Sequence, residues 1–98
     1  MKWLEVIHLR STEQDPTLVD NILQQLIEEV HRKKGKGVVQ LYKRASVASD
    51  VALQIRHDSE QVSLPGSKLG LNLANALKPY GMLNHTIWVL DKETADSH

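Results

Sequence analysis

GMLNHTIWVLD, residues 81–91, alternates like a β-strand yet offers apolar side chains in both directions. Leu83, Ile87 and Val89 fall to one side, Trp88 and Leu90 to the other. Burying both sides takes protein above and below the strand, and a chain of 98 residues holds one modest core. Whatever covers the second side therefore decides what this chain can become.

The remaining sequence supplies one covering layer. Lys2 to Arg10 has strand composition, with Trp3, Leu4, Val6, Ile7 and Leu9 close together. Asp15 followed by Pro16 predicts a helix start, since Asp15 can accept from free backbone N–H groups and proline at the first helical position lacks only an N–H that would go unused. Val19, Ile22, Leu23, Leu26, Ile27 and Val30 then recur at three- and four-residue spacing, one apolar stripe on a long helix. His31, Arg32, Lys33 and Lys34 suit its negative C-terminal end, and Gly35 is the predicted terminator.

A second strand, VVQLYKR, opens after Gly37; ASVASD reads as a turn region; VALQIRH is a third strand, paired with the second as an antiparallel hairpin. The loop DSEQVSLPGS leads into a second helix with core positions Leu69, Leu73, Ala76 and Leu77, where Gly70 and Ala74 permit close approach to a sheet. Pro79 disfavours helical geometry at Lys78, and Gly81 completes the stop before the closing strand. The predicted organisation is one domain over residues 1–92 and a polar C-terminal tail over 93–98. The order β-α-β-β-α-β predicts an α+β, ferredoxin-like fold: a four-stranded antiparallel sheet with both helices on one face.

Alternation divides the strand residues between two faces. Ile7 and Leu9, Val39 and Leu41, Val51, Leu53 and Ile55, and Ile87 and Val89 are expected beneath the helices. The opposite parity collects Leu4, Val6, His8 and Arg10; Val38, Gln40, Tyr42 and Arg44; Ala52, Gln54 and Arg56; and Asn84, Thr86, Trp88 and Leu90. The first strand is nearly symmetric, so its parity rests on less than that of the other three. This second face is too apolar to be left wet, because a Trp alone buries about 150–250 Å². The simplest remedy is a second copy packed sheet to sheet about a two-fold axis, a homodimer whose interior encloses the polar centre of the face.

Composition narrows the functions. Twelve basic and twelve acidic residues cancel, so no overall field attracts nucleic acid or anionic lipid. VALQIRH lacks the aromatics that an RNA-binding sheet of this element order uses to stack bases. The absence of cysteine removes disulfides and thiolate chemistry, and the histidines lack metal-ligand spacing, so no metal is expected. No apolar run approaches a membrane span and no signal-peptide layout opens the chain, which predicts a cytoplasmic protein. His57, Asp58 and Ser59 carry the letters of a hydrolase triad, but consecutive residues do not converge as that chemistry needs. His85 is expected among the helix-facing residues as a satisfied core histidine.

The element order, the long first helix and the run GSKLGLNLANALKPYGMLNHTIWV resemble the dimeric α+β barrel group, and within it the small antibiotic-biosynthesis-monooxygenase-like proteins. The resemblance implies a sheet-to-sheet dimer with a pocket inside each half. It also implies activities that range from cofactor-free oxygenation of polycyclic aromatics, through haem degradation, to none assigned. Haem-degrading members bring Asn, Trp and His together from separate elements; here Asn84, His85 and Trp88 share one strand, and Asn84 and His85 point to opposite faces. The expectation is a small-molecule-binding protein without a cofactor, in its enzymatic form a monooxygenase acting on an aromatic or polyketide-like substrate. The alternative is a non-enzymatic ligand-sensing or structural homodimer.

The candidate binding residues are His8, Arg10, Gln40, Tyr42, Gln54, Arg56, Thr86 and Trp88. His8 can act as a general base near neutrality or serve as an interface histidine. Arg10, Arg44 and Arg56 can grip a carboxylate or enolate oxygen, or pair with acids at a rim. Tyr42 and Trp88 can hold a flat aromatic ligand or fill an interface. Gln40, Gln54 and Thr86 give the same surface neutral hydrogen-bonding capacity.

Overall fold

The computed structural model describes residues 1–92; the expected tail, 93–98, lies outside the described residues. The elements run β1 (Lys2–Ser11), α1 (Pro16–Lys34), β2 (Val39–Lys43), β3 (Asp50–Asp58), α2 (Lys68–Leu77), a 3₁₀ turn (Lys78–Tyr80) and β4 (Gly81–Val89). The four strands form one antiparallel sheet in the order β2-β3-β1-β4. This is the ferredoxin-like α+β arrangement read from the sequence.

Helix α1 begins where its capping chemistry dictates. The Asp15 carboxylate accepts from the Thr17 backbone N–H at 3.0 Å and from the Thr17 hydroxyl at 2.6 Å. At the other end Gly35 takes φ 102°, a left-handed value costly for any residue with a Cβ, and its N–H donates to the His31 carbonyl. Val19, Leu23 and Val30 from α1, and Leu73, Ala74 and Leu77 from α2, join Ile7, Leu9, Val39, Val51, Leu53 and Ile55 in one core. Both helices thus lie on the same side of the sheet, over the odd-numbered strand residues, and the parity expected of the first strand is the one adopted.

Three local expectations are corrected. Lys78 keeps helical geometry (φ −52°, ψ −38°), because the chain tightens into the 3₁₀ turn, where Pro79 sits among the first positions and needs no N–H. Leu41 and Val89 have the parity of core residues but stay 37% and 48% exposed. They stand on the outer strands β2 and β4, which the helices cover only in part: Val39 of β2 is buried and Leu83 of β4 packs against the core, while Leu41 and Val89 lie beyond that cover. Asp50, read as the end of a turn, is the first residue of β3.

Candidate functional site

Among the described residues no element covers the opposite face of the sheet, and the strand register arranges its side chains in rows. Arg10 lies between Asp50 and Met82; His8 lies between Ala52 and Asn84, with Tyr42 beyond Ala52. Val6 lies between Gln54 and Thr86, with Gln40 beyond Gln54, and Leu4 lies between Arg56 and Trp88. All the binding residues expected from the sequence stand on this face. They are not one cluster: Tyr42 and Trp88 sit on the two outer strands, separated by three strand spacings (about 14 Å) across the sheet and by four residues (about 13 Å) along it. One ring cannot lie between them within a single subunit.

The polar end of the face is organised by Asp50, which is 1% exposed and was missed by sequence reasoning. Its carboxylate meets His8 Nε2 at 3.2 Å, Arg44 Nη1 at 3.2 Å and Arg10 Nε at 3.6 Å. Burial pushes the Asp50 carboxyl up, but the hydrogen bonds from Arg44 and His8 and the charge of Arg10 outweigh burial and hold it below the ordinary carboxylate value. Asp50 is therefore an anion that orients its neighbours. With the Nε2 proton of a neutral His8 directed at this carboxylate, Nδ1 is left as the basic nitrogen. The signal was present in the sequence: Asp50 shares the parity of Ala52 and Gln54, and an acid opposite Arg10 follows once the register is known.

Ala52 is the smallest side chain on the face, and it leaves a cavity of about 150 Å³ lined by His8, Tyr42, Lys43, Arg44, Asp50, Val51 and Ala52. The Tyr42 hydroxyl donates to Gln40 Oε1 at 3.0 Å, while Gln54 Oε1 is buried without a partner among the described residues. At the other end of the sheet, a groove of about 610 Å³ runs over Leu4, Arg56, Trp88, Val89 and Leu90. Trp88 is 59% exposed, and its indole N–H donates to Thr86 Oγ1 at 2.9 Å. The face is polar and basic at one end, apolar at the other.

A second polar cluster lies on the helix side, and it too was not anticipated. Glu5 is fully buried where α2 begins; it accepts from the Ser67 backbone N–H and from Ser67 Oγ, a carboxylate placed at a helix N-terminus. His57 Nε2 and His85 Nε2 lie 3.7 and 3.8 Å from Glu5 Oε2, beyond hydrogen-bonding distance, and both nitrogens are buried without a hydrogen-bond partner among the described residues. His85 has the expected parity but is not the satisfied core histidine expected. The Trp3 ring stacks on His57 at 3.9 Å, and Trp3 Nε1 donates to Ser59 Oγ at 2.8 Å. Among the described residues, no group of three or more His, Cys, Asp or Glu is placed to hold a metal ion, and no helix is long and apolar enough to cross a membrane.

No protein-family model matches the chain, and no curated protein matches it. Solved structures do. The structure of Rv0793 from Mycobacterium tuberculosis superposes with a TM-score of 0.66 at 16% identity, over 97% of this chain and 100% of that one. SnoaB, a cofactor-independent oxygenase from Streptomyces nogalater, superposes with a TM-score of 0.62 at 14% identity, over 94% of this chain and 95% of the other. Identities this low speak to the backbone alone. Along nearly its whole length, the chain has the fold that its resemblance to the dimeric α+β barrel group implied.

Proposed function

We propose that this protein is a cytoplasmic homodimer, joined through the uncovered sheet face, that binds a small aromatic or polyketide-like molecule and oxygenates it without a cofactor. The observation that carries the proposal is His8, held by buried Asp50 on a sheet face that has no cover of its own. Trp88, Tyr42, Met82 and Leu90 are 59%, 47%, 67% and 47% exposed, and with half-buried Leu4 and Val6 they make a larger apolar surface than a lone soluble chain usually shows. A second copy shelters it. The likeness to SnoaB supports the fold on which such chemistry is known, not the chemistry itself.

In this reading His8 Nδ1 removes a proton from an acidic C–H or phenolic O–H of the substrate. The resulting carbanion or enolate forms a C–O bond to O₂, giving a peroxide anion that takes the proton back from His8. Where the carbon still bears a hydrogen, the hydroperoxide loses water: the O–O and C–H bonds break and a carbonyl forms. The balance is R₂CH₂ + O₂ → R₂C=O + H₂O, and O₂ is the oxidant. Arg10 and Arg44 stabilise the anion, while Tyr42 and Trp88, one from each subunit, bound the substrate ring.

Two measurements test the proposal together: sedimentation at micromolar concentration, and oxygen consumption with anthrone or a hydroquinone in air. A dimer that oxidises anthrone, with activity lost in H8Q, is the expected result. A dimer inert towards every electron-rich arene is a ligand-binding or structural module. A stable monomer overturns the shared site altogether.

A further inference from the structure

The charges of the uncovered face do not balance. At one end row Lys2 stands opposite Asp58. At the other, two guanidinium groups and a histidine converge on the single carboxylate of Asp50. Arg56, in the row of Leu4 and Trp88, makes no hydrogen bond or ion pair among the described residues, and Asp50 and Asp58 are the acids of this face among them. A chain that is neutral overall has thus placed a positive surplus on one surface. A two-fold partner does not cure this, since it presents the same surplus in return. Enclosing unpaired positive charge is costly. At the Asp50 corner, two guanidiniums against one carboxylate leave a place for one further anion, which a ligand can supply.

Local geometry indicates where it goes and what shape it has. Arg10, on β1, and Arg44, just past the end of β2, flank Asp50, and each makes one contact with it, at 3.6 and 3.2 Å. A guanidinium has five N–H donors, so both retain donors that Asp50 does not use. Arg44 and His8 also line the hollow above Ala52, whose volume of about 150 Å³ takes a small planar group and is too small for a fused polycycle. Tyr42, Lys43 and Asp50 line it as well. Planar forks of N–H donors around a small hollow match a carboxylate, which accepts two parallel hydrogen bonds.

We propose that the hollow over Ala52, walled by His8, Tyr42 and Arg44, with Arg10 beside it, is a carboxylate subsite, and that the natural ligand is an aromatic or polyketide-like acid. The acid group docks over Ala52, and the carbon skeleton runs down the sheet over Gln54 and Val6 towards Leu4 and Trp88. Asp50 acts as a positioning residue: it holds the two guanidiniums together, which their mutual repulsion would otherwise oppose, and it orients the His8 ring through Nε2. The proposal rests on the sheet face being a sheltered ligand site, and specifies what that site accepts.

The test is titration calorimetry of the full chain with 2-naphthoate, its neutral isostere 2-naphthamide and inorganic phosphate, with sedimentation of the same samples. Naphthoate is expected to bind at least ten-fold more tightly than naphthamide and than phosphate. R44Q, a change at an exposed side chain, is expected to lose at least ten-fold in naphthoate affinity while naphthamide binding stays within two-fold. A52L, which fills the hollow, is expected to lose naphthoate binding with the sedimentation profile unchanged; R44Q carries the test if A52L fails to fold. Equal affinity for acid and amide, or an R44Q variant that binds naphthoate like the parent, overturns the proposal. Phosphate binding as tight as naphthoate reduces the subsite to a general anion hole and overturns the aromatic-acid assignment. A monomer that still binds naphthoate through Arg44 leaves the subsite standing and removes the dimer alone; a dimer with no preference for the acid does the reverse.

Discussion

At Gly70 a single added methyl group should have a large consequence. A Cβ added there would stand 1.9 Å from Glu5 Oε2 and 2.7 Å from its Cδ, where ordinary contact begins at 3.4 Å. In G70A, either Glu5 or the start of α2 must move by about 1.5 Å. Glu5 has no free volume to move into, being fully buried among Ser67, Gly66, His57 and His85. The displacement breaks the pair of bonds from Ser67 to the carboxylate, and hydrogen bonds to a charged group are worth about 1.5–3 kcal/mol each. Overpacking adds about 1–3 kcal/mol. Against this, Ala is preferred over Gly in a helix by about 1 kcal/mol. Because the carboxylate keeps part of its bonding after it shifts, the net loss should be about 3 kcal/mol.

The decisive assay is a double-mutant cycle by urea unfolding at fixed protomer concentration. E5A removes the carboxylate that the new methyl group strikes. In the E5A background, G70A should therefore stabilise by about 0.5–1 kcal/mol through helix propensity, reversing sign. A loss of under 1 kcal/mol for G70A in the parent, or the same loss in both backgrounds, would show that Glu5 does not pin α2 to the sheet as the structure has it.

Other substitutions address the rest of the molecule. W88E places a charge at the centre of the apolar end of the face, and should convert the proposed dimer to a monomer at micromolar concentration by sedimentation; an unaltered dimer places the interface elsewhere. L23A opens a cavity beneath α1 at a side chain with no exposure, and should cost about 3 kcal/mol in urea unfolding; a loss below 1 kcal/mol would mean that the helix does not pack there. The Asp50 carboxyl is held low in the folded chain, so the stability it contributes is present above about pH 4 and is lost as pH falls through its lowered folded value. D50N should weaken the protein near neutrality and flatten the loss of stability below pH 4; an acid limb identical to that of the parent would contradict the Asp50 cluster.

What could be read in the sequence was whatever depends on local spacing. The α1 stripe, its Asp15 cap and its Gly35 stop are settled within single turns, and each stands as expected. Strand parity was legible wherever polar residues mark one side. Coverage was not: Leu41 and Val89 have core parity, but whether a helix reaches an outer strand is a property of the assembled layers. The polar clusters were hidden for a similar reason. Glu5 meets Ser67, and His8 meets Asp50, through pairings 62 and 42 residues apart. Trp3 finds His57 only through the register of β1 with β3. An acid within ASVASD resembles turn chemistry until Arg10 is known to lie across from it.

Surplus charge on a shared face also makes assembly and ligand binding depend on one another. If two copies of the Arg10–Arg44–Asp50 corner are enclosed together, each opposes association until an anion joins it. Linkage then requires an acid ligand to tighten the dimer by as much as dimerisation tightens the ligand. Saturating naphthoate at about 100 times its dissociation constant can stabilise the bound state by about 2.7 kcal/mol, near a hundred-fold in an equilibrium constant. R44Q separates this mechanism from simple crowding of apolar surface. With one positive charge removed per subunit, the ligand-free R44Q dimer should dissociate less readily than the parent, and naphthoate should no longer tighten it. W88E should do the opposite, weakening the dimer with and without ligand. An R44Q dimer weaker than the parent in the absence of acid would mean that Arg44 bonds across the interface instead of waiting for an anion, and the charge argument would fail at its first step.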